Sequence, residues 1–572
     1  MTGPTVIDPV AAQGDVAVDV AVVGGGAAGL TLALQLRQGR PDLRILVLER
    51  QAHPVPEAAH KVGESTVEIA GYYLREILGL GEHLEGQQLR KFGLRMFFSD
   101  RDNQDIARRI ELGHSVTPPA AVGTYQIDRG RFENALAKRL AGAGIDIRTG
   151  TVAERIELGP GDADHAVVFR DDIGAQRTVR ARWVIDATGR NGMLKKNLGL
   201  AKPVGHRANA VWLRVDAAID VATWSDDPAW QARIRESRRE LSTNHLMGSG
   251  YWVWLIRLAS GATSVGIVTD PERHDFAELN RLPRALAWLR EHEPQCAAAV
   301  AAAIDRVQDF RVMKDYAYSC RQVFSGDRWC LAGEAGVFLD PLYSPGLDLV
   351  AISNGLITDL VLRSLDGEDV AELAAIHNSA FLLVVDGWMH VYENQYAVMG
   401  NARVMLTKVV WDTAVYWAVV GLLYFQDKFR VLVDMPDVLE NLARFSAMSK
   451  TAQRFFREWA SLDAPARQVR EFVQFYDFDF MKSLHAGMTL DLTDDEFVET
   501  FAANVSLIEQ LTGQLINAVC AELAADPEPV AVDTAARWRA DPLLAALIAQ
   551  AEHCGSAVPE AQWISRLTPS PA

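Results

Sequence analysis

The chain has 572 residues, of which 49% are hydrophobic and 23% are charged, so it is neither a disordered protein nor a coiled coil. Its 57 basic and 74 acidic residues give a net charge of −17, which argues against nucleic-acid binding because that function needs a basic surface. The five cysteines are far apart and form no CxxC pattern, so neither a zinc or other metal site nor a disulfide framework is indicated.

The sequence predicts neither a secretory signal nor a membrane span. The N-terminus has no basic segment followed by an apolar run, which a signal peptide requires. The longest apolar stretch, residues 413–425, has thirteen residues, whereas a helix needs about 20 to cross a bilayer. Its aromatic residues Tyr416, Trp417 and Tyr424 are also typical of a membrane-surface helix, but the lack of a basic face favours burial. We therefore expect a cytoplasmic enzyme.

A nucleotide-binding unit stands near the N-terminus. Val16–Val23 is rich in valine and predicts a buried strand, which leads into a glycine-rich segment, 24–29, and a helix at 30–37. A second strand, 43–48, ends at Glu49. This order of strand, glycine turn, helix and strand with a terminal acid is the dinucleotide-binding fingerprint in the context that it requires.

The residue types of this fingerprint have separate physical roles. Gly24 permits the tight turn, Gly26 lets the backbone approach a pyrophosphate, and Gly29 lets the helix and strand pack closely. Amides at the helix N-terminus face the phosphates, and the Glu49 carboxylate accepts hydrogen bonds from ribose hydroxyls. The predicted nucleotide-binding residues are Gly24, Gly26, Ala27, Ala28, Gly29, Glu49 and Arg50.

Two later segments indicate which dinucleotide is bound. Residues 183–190 form a short buried strand with a glycine turn, and residues 327–335 form another, followed by Asp340 and Pro341. Their order resembles that of FAD proteins in the aromatic hydroxylase and halogenase superfamily, where a late acid, usually Asp after Gly, binds the ribityl chain. Glu334 holds that place here. The resemblance implies FAD contacts at Ala187, Gly189, Gly333 and Glu334.

Further motifs resemble the flavin-dependent halogenases, particularly the branch that acts on phenols and pyrroles. The segment KVGES at 61–65 is similar to the family's VGES sequence, and WVWLI at 252–256 is similar to its WxWxIP motif. The segment RGRFE at 129–133 resembles its RxxFD-like segment. The similarity covers roughly residues 15–360. It implies FAD contacts at Lys61, Glu64, Ser65 and Arg129.

The resemblance also implies a reaction. In that family FAD is reduced by a separate flavin reductase, and with O2 and halide as co-substrate it yields hypohalous acid. A buried lysine then carries or activates the halogen for an electron-rich aromatic small molecule. Lys91, followed by Phe92 and Gly93, occupies the place of that lysine. An amine suits the role because its neutral form accepts halogen and its charged form hydrogen-bonds the hypohalous acid. The alternative is a surface lysine at the start of a strand.

Other residues of these motifs belong to the expected substrate pocket and halide site. Trp252 and Trp254 lie on one face of a strand, where they wall the substrate pocket or belong to an aromatic core. Arg257 replaces the family's proline. Pro345, which we also assign to the substrate pocket, replaces the Ser/Thr whose amide helps Gly346 to hold the halide. The missing N–H weakens halide binding by about 1.5–3 kcal/mol. An FAD-dependent monooxygenase, a hydroxylase or epoxidase without halide use, is therefore the alternative function.

Several residues keep two interpretations. His60 and His245 are candidate bases, but each is more often a structural histidine. Glu64 and Ser65 are equally suited to cap the helix that follows them. One aromatic cluster either caps a substrate pocket or, as we favour, packs in a core. It contains Phe472, Phe475, Tyr476, Phe478 and Phe480.

We expect an α/β fold with a doubly wound FAD-binding domain, an interleaved antiparallel-sheet substrate domain and a helical C-terminal domain. The first is predicted at 1–90, 120–200 and 320–370, the second at 91–119 and 201–319, and the third at 371–572. A catalytically silent FAD-binding protein is the alternative from another functional class. The acidic net charge favours a free substrate over one tethered to an acidic carrier protein. The oligomeric state stays open.

Overall fold

A computed structural model describes residues 16–57, 62–100, 102–116, 122–236, 238–463, 471–526 and 528–553. Its first sheet has eight strands, and the strands at its centre pair in parallel. The valine-rich strand Val16–Val23 lies in the middle and is buried from Val20 onward, as expected for a parallel sheet covered on both faces. Six of the strands are, in spatial order, Phe324–Ser325, Trp329–Leu331, Gln176–Asp186, Val16–Val23, Ile45–Glu49 and Asp146–Thr149. The other two form a branch: His165–Arg170 pairs with Gln176–Asp186, and Val152–Glu157 pairs with His165–Arg170.

The second sheet also has eight strands and is mainly antiparallel. The predicted hairpin is present, because Tyr251–Arg257 pairs antiparallel with Thr263–Thr269. Trp254 lies opposite Gly266, where a Cβ atom would stand 2.1 Å from the indole ring, so only glycine leaves room for that ring. The spatial order is Val307–Met313, Asn209–Val215, Thr263–Thr269, Tyr251–Arg257, Thr243–Gly248, Leu94–Phe98, Glu111–Leu112 and Phe472–Val473. Two short pairs complete the strands: Ala201–Lys202 with Ser319–Cys320, and Leu89–Lys91 with Thr124–Gln126.

Helices cover the sheets and form most of the C-terminal third. Those before residue 370 are Ala27–Gly39, Glu68–Tyr72, Gly81–Gln87, Arg129–Gly142, Met193–Asn197, Pro228–Ala232, Leu282–His292, Pro294–Ala301 and Gly346–Leu365. Those after it are Ala371–Tyr392, Ala402–Val415, Leu422–Phe425, Pro436–Leu462, Asp479–Gly487, Asp494–Ala524, Pro529–Ala540 and Pro542–His553. Two π-helical turns, Tyr73–Ile77 and Tyr416–Gly421, extend helices near the site.

The C-terminal region is helical, as predicted, with one exception. Its strand Phe472–Val473 pairs in parallel with Glu111–Leu112 at the edge of the second sheet. One apolar core runs continuously from the first sheet through helix Gly346–Leu365 to the C-terminal helices. The C-terminal helices are therefore packed onto the sheets as part of one body of buried side chains.

The apolar stretch is longer than the thirteen residues read from the sequence. Helix continues over Ala402–Phe425, because the backbone passes through the π-helical turn without a break. Among the described residues this is the one helix long and apolar enough to cross a membrane, and 83% of its most apolar window is buried inside the protein. The lack of a basic face predicted that this helix is buried, and the structure confirms the prediction.

Candidate active site

Two cavities meet beside the first sheet. The large cavity, of about 800 Å³, lies at the carboxyl ends of strands Val16–Val23, Ile45–Glu49 and Gln176–Asp186. The carboxyl edge of a doubly wound sheet is where such folds bind their ligands. The small cavity, of about 50 Å³, is lined by Lys91 and by C-terminal residues, including Trp417.

The glycine-rich turn forms one end of the large cavity. A Cβ atom at Gly24 would lie 2.2 Å from the Ala187 carbonyl oxygen, and Gly24 has a φ of +118°, so the turn requires glycine. A Cβ atom at Gly29 would lie 2.0 Å from the Gly24 oxygen, which agrees with close packing of helix on strand. The Glu49 carboxylate accepts hydrogen bonds from the amides of Gly25 at 2.7 Å and Gln51 at 2.8 Å, and so it orders the turn.

Most of the other predicted nucleotide contacts line the same cavity. Lys61, like the candidate base His60, lies outside the described residues. The predicted residues that line the large cavity are Gly24, Gly26, Ala27, Ala28, Glu49, Arg50, Glu64, Ser65, Arg129, Ala187, Gly189, Gly333, Glu334 and Gly346.

The predicted helix cap is wrong. The helix after the VGES segment begins at Glu68 with Val67 at its N-cap, so neither Glu64 nor Ser65 caps it. Glu64 is buried and paired with the Arg214 guanidinium at 2.8 Å. Burial raises the pKa of Glu64, against the opposing effect of Arg214. The segment is turned toward the cavity because these polar groups find their partners there.

Three tryptophans form an aromatic wall of the large cavity. Trp252 and Trp254, the predicted substrate-pocket residues, stand beside Trp212 in this wall. Trp252 Nε1 donates to the Tyr396 hydroxyl at 3.1 Å, and Trp254 Nε1 donates to Ser264 Oγ at 3.1 Å. The buried Trp212 Nε1 has no acceptor within the described part of the chain. An unpaired buried N–H on a residue that lines a cavity fits a cofactor that carries hydrogen-bond acceptors, as the rings of FAD do.

His245 also lines the large cavity. Its Nδ1 lies 3.2 Å from the Arg95 carbonyl oxygen, and its ring packs on Trp252 with centroids 5.4 Å apart. Burial lowers the pKa of His245 to about 4, so the ring is neutral at neutral pH. These contacts hold a neutral ring in the aromatic wall, and the role of base stays a prediction.

Lys91 is buried, which excludes the alternative of a surface lysine. It is the last residue of strand Leu89–Lys91 and is 3% exposed. Its Nζ donates to Ser65 Oγ and to the Thr66 carbonyl oxygen, both at 2.8 Å. Burial lowers the pKa of Lys91 to about 8, although the negative charges of Glu68 and Asp348 oppose the effect.

A polar partition separates the two cavities. Ser65 Oγ accepts from Lys91 on the side of the small cavity, lies 2.9 Å from Thr243 Oγ1, and accepts from Ser344 Oγ at 3.1 Å. Thr243 and Ser344 line the large cavity. A small polar molecule passing from the large cavity to Lys91 would therefore exchange hydrogen bonds with these hydroxyls.

The turn before helix Gly346–Leu365 is strained. Tyr343 and Ser344 have φ values of +69° and +62°, an uncommon conformation for side-chain-bearing residues that costs about 1–3 kcal/mol each. The Tyr343 hydroxyl donates to Asp412 at 3.1 Å, and Ser344 donates to Ser65. A C-terminal helix thus holds the turn that presents Pro345 to the large cavity.

Two buried acids near this turn were missed by the sequence reasoning. Asp348 accepts from the Ala70 amide at 2.8 Å and the Tyr416 hydroxyl at 2.7 Å, and burial raises its pKa to about 8. Asp340 accepts hydrogen bonds from three side chains whose donor atoms lie within 2.7 Å. Burial by itself would raise the pKa of Asp340, but these hydrogen bonds hold the pKa below its ordinary value. These donors are His206, Tyr396 and Tyr316. No sequence spacing links either acid to its partners.

The C-terminal aromatic cluster divides between core and cavity. Phe475, Phe478 and Phe480 are buried in the core, as favoured, whereas Tyr476 lines the small cavity. The π-helical turn Tyr416–Gly421 brings Trp417 to the same cavity. π-Helical turns occur often at functional sites because they change which side chains face inward.

Two glycine substitutions separate folding from cofactor binding. We expect Gly24→Ala to lower both stability and FAD binding, because its Cβ collides with the Ala187 backbone. Gly26→Ala has open space around its Cβ, so the apoprotein should keep its thermal midpoint while FAD affinity falls about 10-fold or more. Flavin fluorescence titration and thermal unfolding of the apoprotein measure the two effects. Gly142→Ala, also in open space but at a helix end away from the large cavity, is the control. Unchanged FAD affinity in Gly26→Ala would contradict the assignment.

Comparison with known proteins agrees with this geometry. Residues 17–347, more than half of the chain, match the FAD binding domain family. A flavin-dependent halogenase of Dictyostelium discoideum is 24% identical over 70% of this chain and 70% of its own length. A 1H-pyrrole-2-carbonyl-(peptidyl-carrier protein) chlorinase of Pseudomonas fluorescens is 25% identical over 63% of this chain and 79% of its own length.

A solved structure shares the fold over nearly the whole length. A single-residue mutant of the halogenase PltM, in complex with FAD, superposes with a TM-score of 0.63 at 17% sequence identity, over 96% of this chain and 99% of that chain. The large cavity, its glycine turn and the unpaired Trp212 N–H fit the cofactor that this fold carries. The chain therefore belongs to the FAD binding domain family, and the two curated relatives compared with it are a flavin-dependent halogenase and a chlorinase.

Proposed function

We propose that the protein is a flavin-dependent halogenase, which uses reduced FAD, O2 and halide to halogenate an electron-rich aromatic small molecule. One observation carries the proposal: Lys91 lines the small cavity, and its buried amine bonds to Ser65, which lines the large cavity. An amine at the boundary between a flavin cavity and a second cavity can pass halogen from one to the other.

FAD would be held in the large cavity by the glycine turn, Glu49, Arg129 and the residues of the aromatic wall. Bound FAD, reduced by a separate flavin reductase, supplies with O2 the oxidising power that turns halide into hypohalous acid. The chain's own part is to shield this site from water and to direct the product. Trp252, Trp254 and Trp212 give the large cavity an apolar wall against the bound cofactor.

Lys91 receives the hypohalous acid. Two of its hydrogens are used by Ser65 and Thr66. In the ammonium form the third hydrogen can bond to the oxygen of the hypohalous acid, and in the neutral form the lone pair can accept the halogen. With a pKa of about 8, both forms are present near neutral pH, the amine at about a tenth of the total at pH 7. The Glu68 carboxylate offsets part of the ammonium charge.

The halide would bind where helix Gly346–Leu365 begins. The first amides of a helix have no acceptor within it and attract anions. Pro345 precedes them and has no N–H, so Gly346 and the amides after it carry the contact alone. This departure is the specific observation that favours monooxygenation as the second candidate function.

The predicted domain division assigns parts to this mechanism. The FAD-binding domain supplies the large cavity, the antiparallel-sheet domain supplies Lys91 and the tryptophans, and the helical C-terminal domain closes the small cavity. The C-terminal residues Trp417, Tyr476 and His485 would therefore set the shape of the aromatic substrate.

The test is halide dependence. The full chain is incubated with FAD, a flavin reductase with its reductant, O2, bromide and a simple phenol, and products are identified by mass spectrometry. We expect a brominated phenol whose yield depends on bromide, and hypohalous acid that a trapping reagent intercepts. An oxygenated phenol formed equally without bromide would replace this proposal by the monooxygenase.

A further inference from the structure

A carboxylate and an imidazole lie side by side in the lining of the small cavity, slightly too far apart to bond to each other. Glu68 Oε1 lies 3.6 Å from His485 Nε2, which is beyond hydrogen-bonding distance. His485 Nε2 has no hydrogen-bond partner among the described residues, although its side chain is only 9% exposed. Both residues line the small cavity. Because a buried polar atom without a partner is costly, the pair is suited to a ligand oxygen that approaches both atoms from the side of the small cavity.

Tyr476 determines which hydrogen bond His485 can make. The Tyr476 hydroxyl lies 2.5 Å from His485 Nδ1. Burial raises the pKa of Tyr476, so its hydroxyl stays protonated. The Glu68 carboxylate, 3.6 Å from Nε2, favours a hydrogen on Nε2, and the Tyr476 hydroxyl then donates to Nδ1. Burial also lowers the pKa of His485, which keeps the ring neutral at neutral pH. The one ring hydrogen then lies on Nε2, so the pair presents a donor and a carboxylate acceptor next to each other.

We propose that Glu68 and His485 bind the hydroxyl group of a phenolic substrate, whose hydrogen Glu68 accepts and whose oxygen receives the hydrogen of His485 Nε2. A hydroxyl is both donor and acceptor at one atom, and an oxygen can lie within hydrogen-bonding distance of two atoms 3.6 Å apart. A pyrrole N–H only donates, and an aryl ether only accepts. The site thus selects phenols within the substrate class of the proposed halogenase, on which this inference rests.

The surroundings suit an aromatic ring beside the halogen donor. The Trp417 ring stacks near His485 with centroids 4.5 Å apart, and His114 packs near Tyr476 with centroids 5.3 Å apart. Lys91 lines the same cavity. A phenol anchored at Glu68 therefore shares the cavity with the amine that carries or activates the halogen.

The pair also accounts for the protons of the reaction. Glu68 takes the hydroxyl proton, which gives the more electron-rich phenolate. A ring carbon uses an electron pair to bond the halogen, the halogen–oxygen bond of hypohalous acid breaks, and the oxygen takes a proton from the Lys91 ammonium to leave as water. The ring C–H proton passes to the Lys91 amine, and Glu68 returns its proton to the phenolate oxygen. The ring is oxidised, the hypohalous acid is reduced, and the products are a halophenol and water.

Binding of two matched probes tests the hydroxyl site without flavin or halide. We expect the full chain to bind 4-nitrophenol at least about 10-fold more tightly than 4-nitroanisole, in which a methyl group replaces the hydroxyl hydrogen. Glu68→Gln and His485→Phe should each remove most of this preference; the second keeps a ring to stack on Trp417. The exposed Glu82→Gln is the matched control. Equal affinity for both probes, or a preference retained in both variants, would overturn the inference.

Turnover supplies the second measurement and separates this inference from the proposed function. We expect the ratio of halogenated phenol to trapped hypohalous acid to fall about 10-fold or more in Glu68→Gln. A ratio equal to that of the unaltered protein contradicts the role of Glu68. Absence of hypohalous acid in the unaltered protein contradicts the proposed function instead, and the probe affinities still decide the hydroxyl site. Circular dichroism and FAD binding identify any variant that does not fold.

Discussion

Lys91→Met is expected to abolish halogenation and to stabilise the protein at neutral pH. The folded state lowers the pKa of Lys91 from 10.5 to about 8, so it disfavours the ammonium that the unfolded chain carries. This penalty, about 3 kcal/mol at most, is fully present below pH 8 and disappears as the pH rises toward 10.5. Loss of the hydrogen bonds to Ser65 and Thr66 offsets about half of it.

We therefore expect the free energy of unfolding of Lys91→Met to rise by about 1–2 kcal/mol at pH 7, with the gain lost near pH 10. Product formation should fall about 10²–10⁴-fold, the range for loss of a group that acts on protons or halogen in the transition state. Urea unfolding at both pH values and product analysis measure these effects. Unchanged product formation would make Lys91 structural and would contradict its role in carrying or activating the halogen.

Lys408→Met is the matched control for the stability measurement. Lys408 is also buried, but its ammonium is paired with Asp412 at 2.5 Å. Removing one partner of a buried pair leaves the other charge uncompensated, which costs about 3–5 kcal/mol. We expect this variant to be less stable at pH 7, the opposite of Lys91→Met. A stabilised Lys408→Met would show that the two lysines do not differ in the way their contacts indicate.

Pro345→Ser is expected to strengthen halide use. Pro345 has φ −75° and ψ −9°, a conformation open to any residue, and it is the N-cap of helix Gly346–Leu365, where serine is favoured. The substitution restores an amide N–H beside Gly346. A hydrogen bond to an anion contributes about 1.5–3 kcal/mol, so the KM for bromide should fall about 10–100-fold. Initial rates over a range of bromide concentrations measure this.

Two further variants show which new group acts. Pro345→Ala adds the N–H without a hydroxyl and should lower the bromide KM by a similar factor. Pro341→Ala also removes a proline from the lining of the large cavity, but outside the start of the helix, and should leave the bromide KM within about twofold. A bromide KM that none of these variants changes would show that halide binds elsewhere, or that the enzyme transfers oxygen.

The flavin-binding half of the site was predictable because its residues are local in sequence. The turn at Gly24, the helix after it and the acid at Glu49 form one continuous strand–helix–strand unit, so spacing alone relates them. Lys91 was found by resemblance, but its burial was not predictable. That burial depends on tertiary contacts: Lys91 bonds to Ser65 and Thr66 and shares a cavity with Trp417, which lies more than 300 positions away.

The residues that the sequence reasoning missed are those with distant partners. Asp348 bonds to Ala70 and Tyr416, and Glu68 lies beside His485, each across more than 60 positions. Tyr343 and Ser344 adopt positive φ values because Asp412 and Ser65 hold them. No periodicity or composition records such contacts.

By itself, the sequence determined a nucleotide-binding α/β fold with an antiparallel second sheet and a helical C-terminal region. It could do so because hydrophobic periodicity and glycine turns act over a few residues. Only the tertiary structure decided that Lys91 is buried between two cavities, that the helix cap lies at Val67, and that Glu68 and His485 lie side by side. Burial and pairing of charges depend on segments brought together by the whole fold, and these properties set the chemistry of the site.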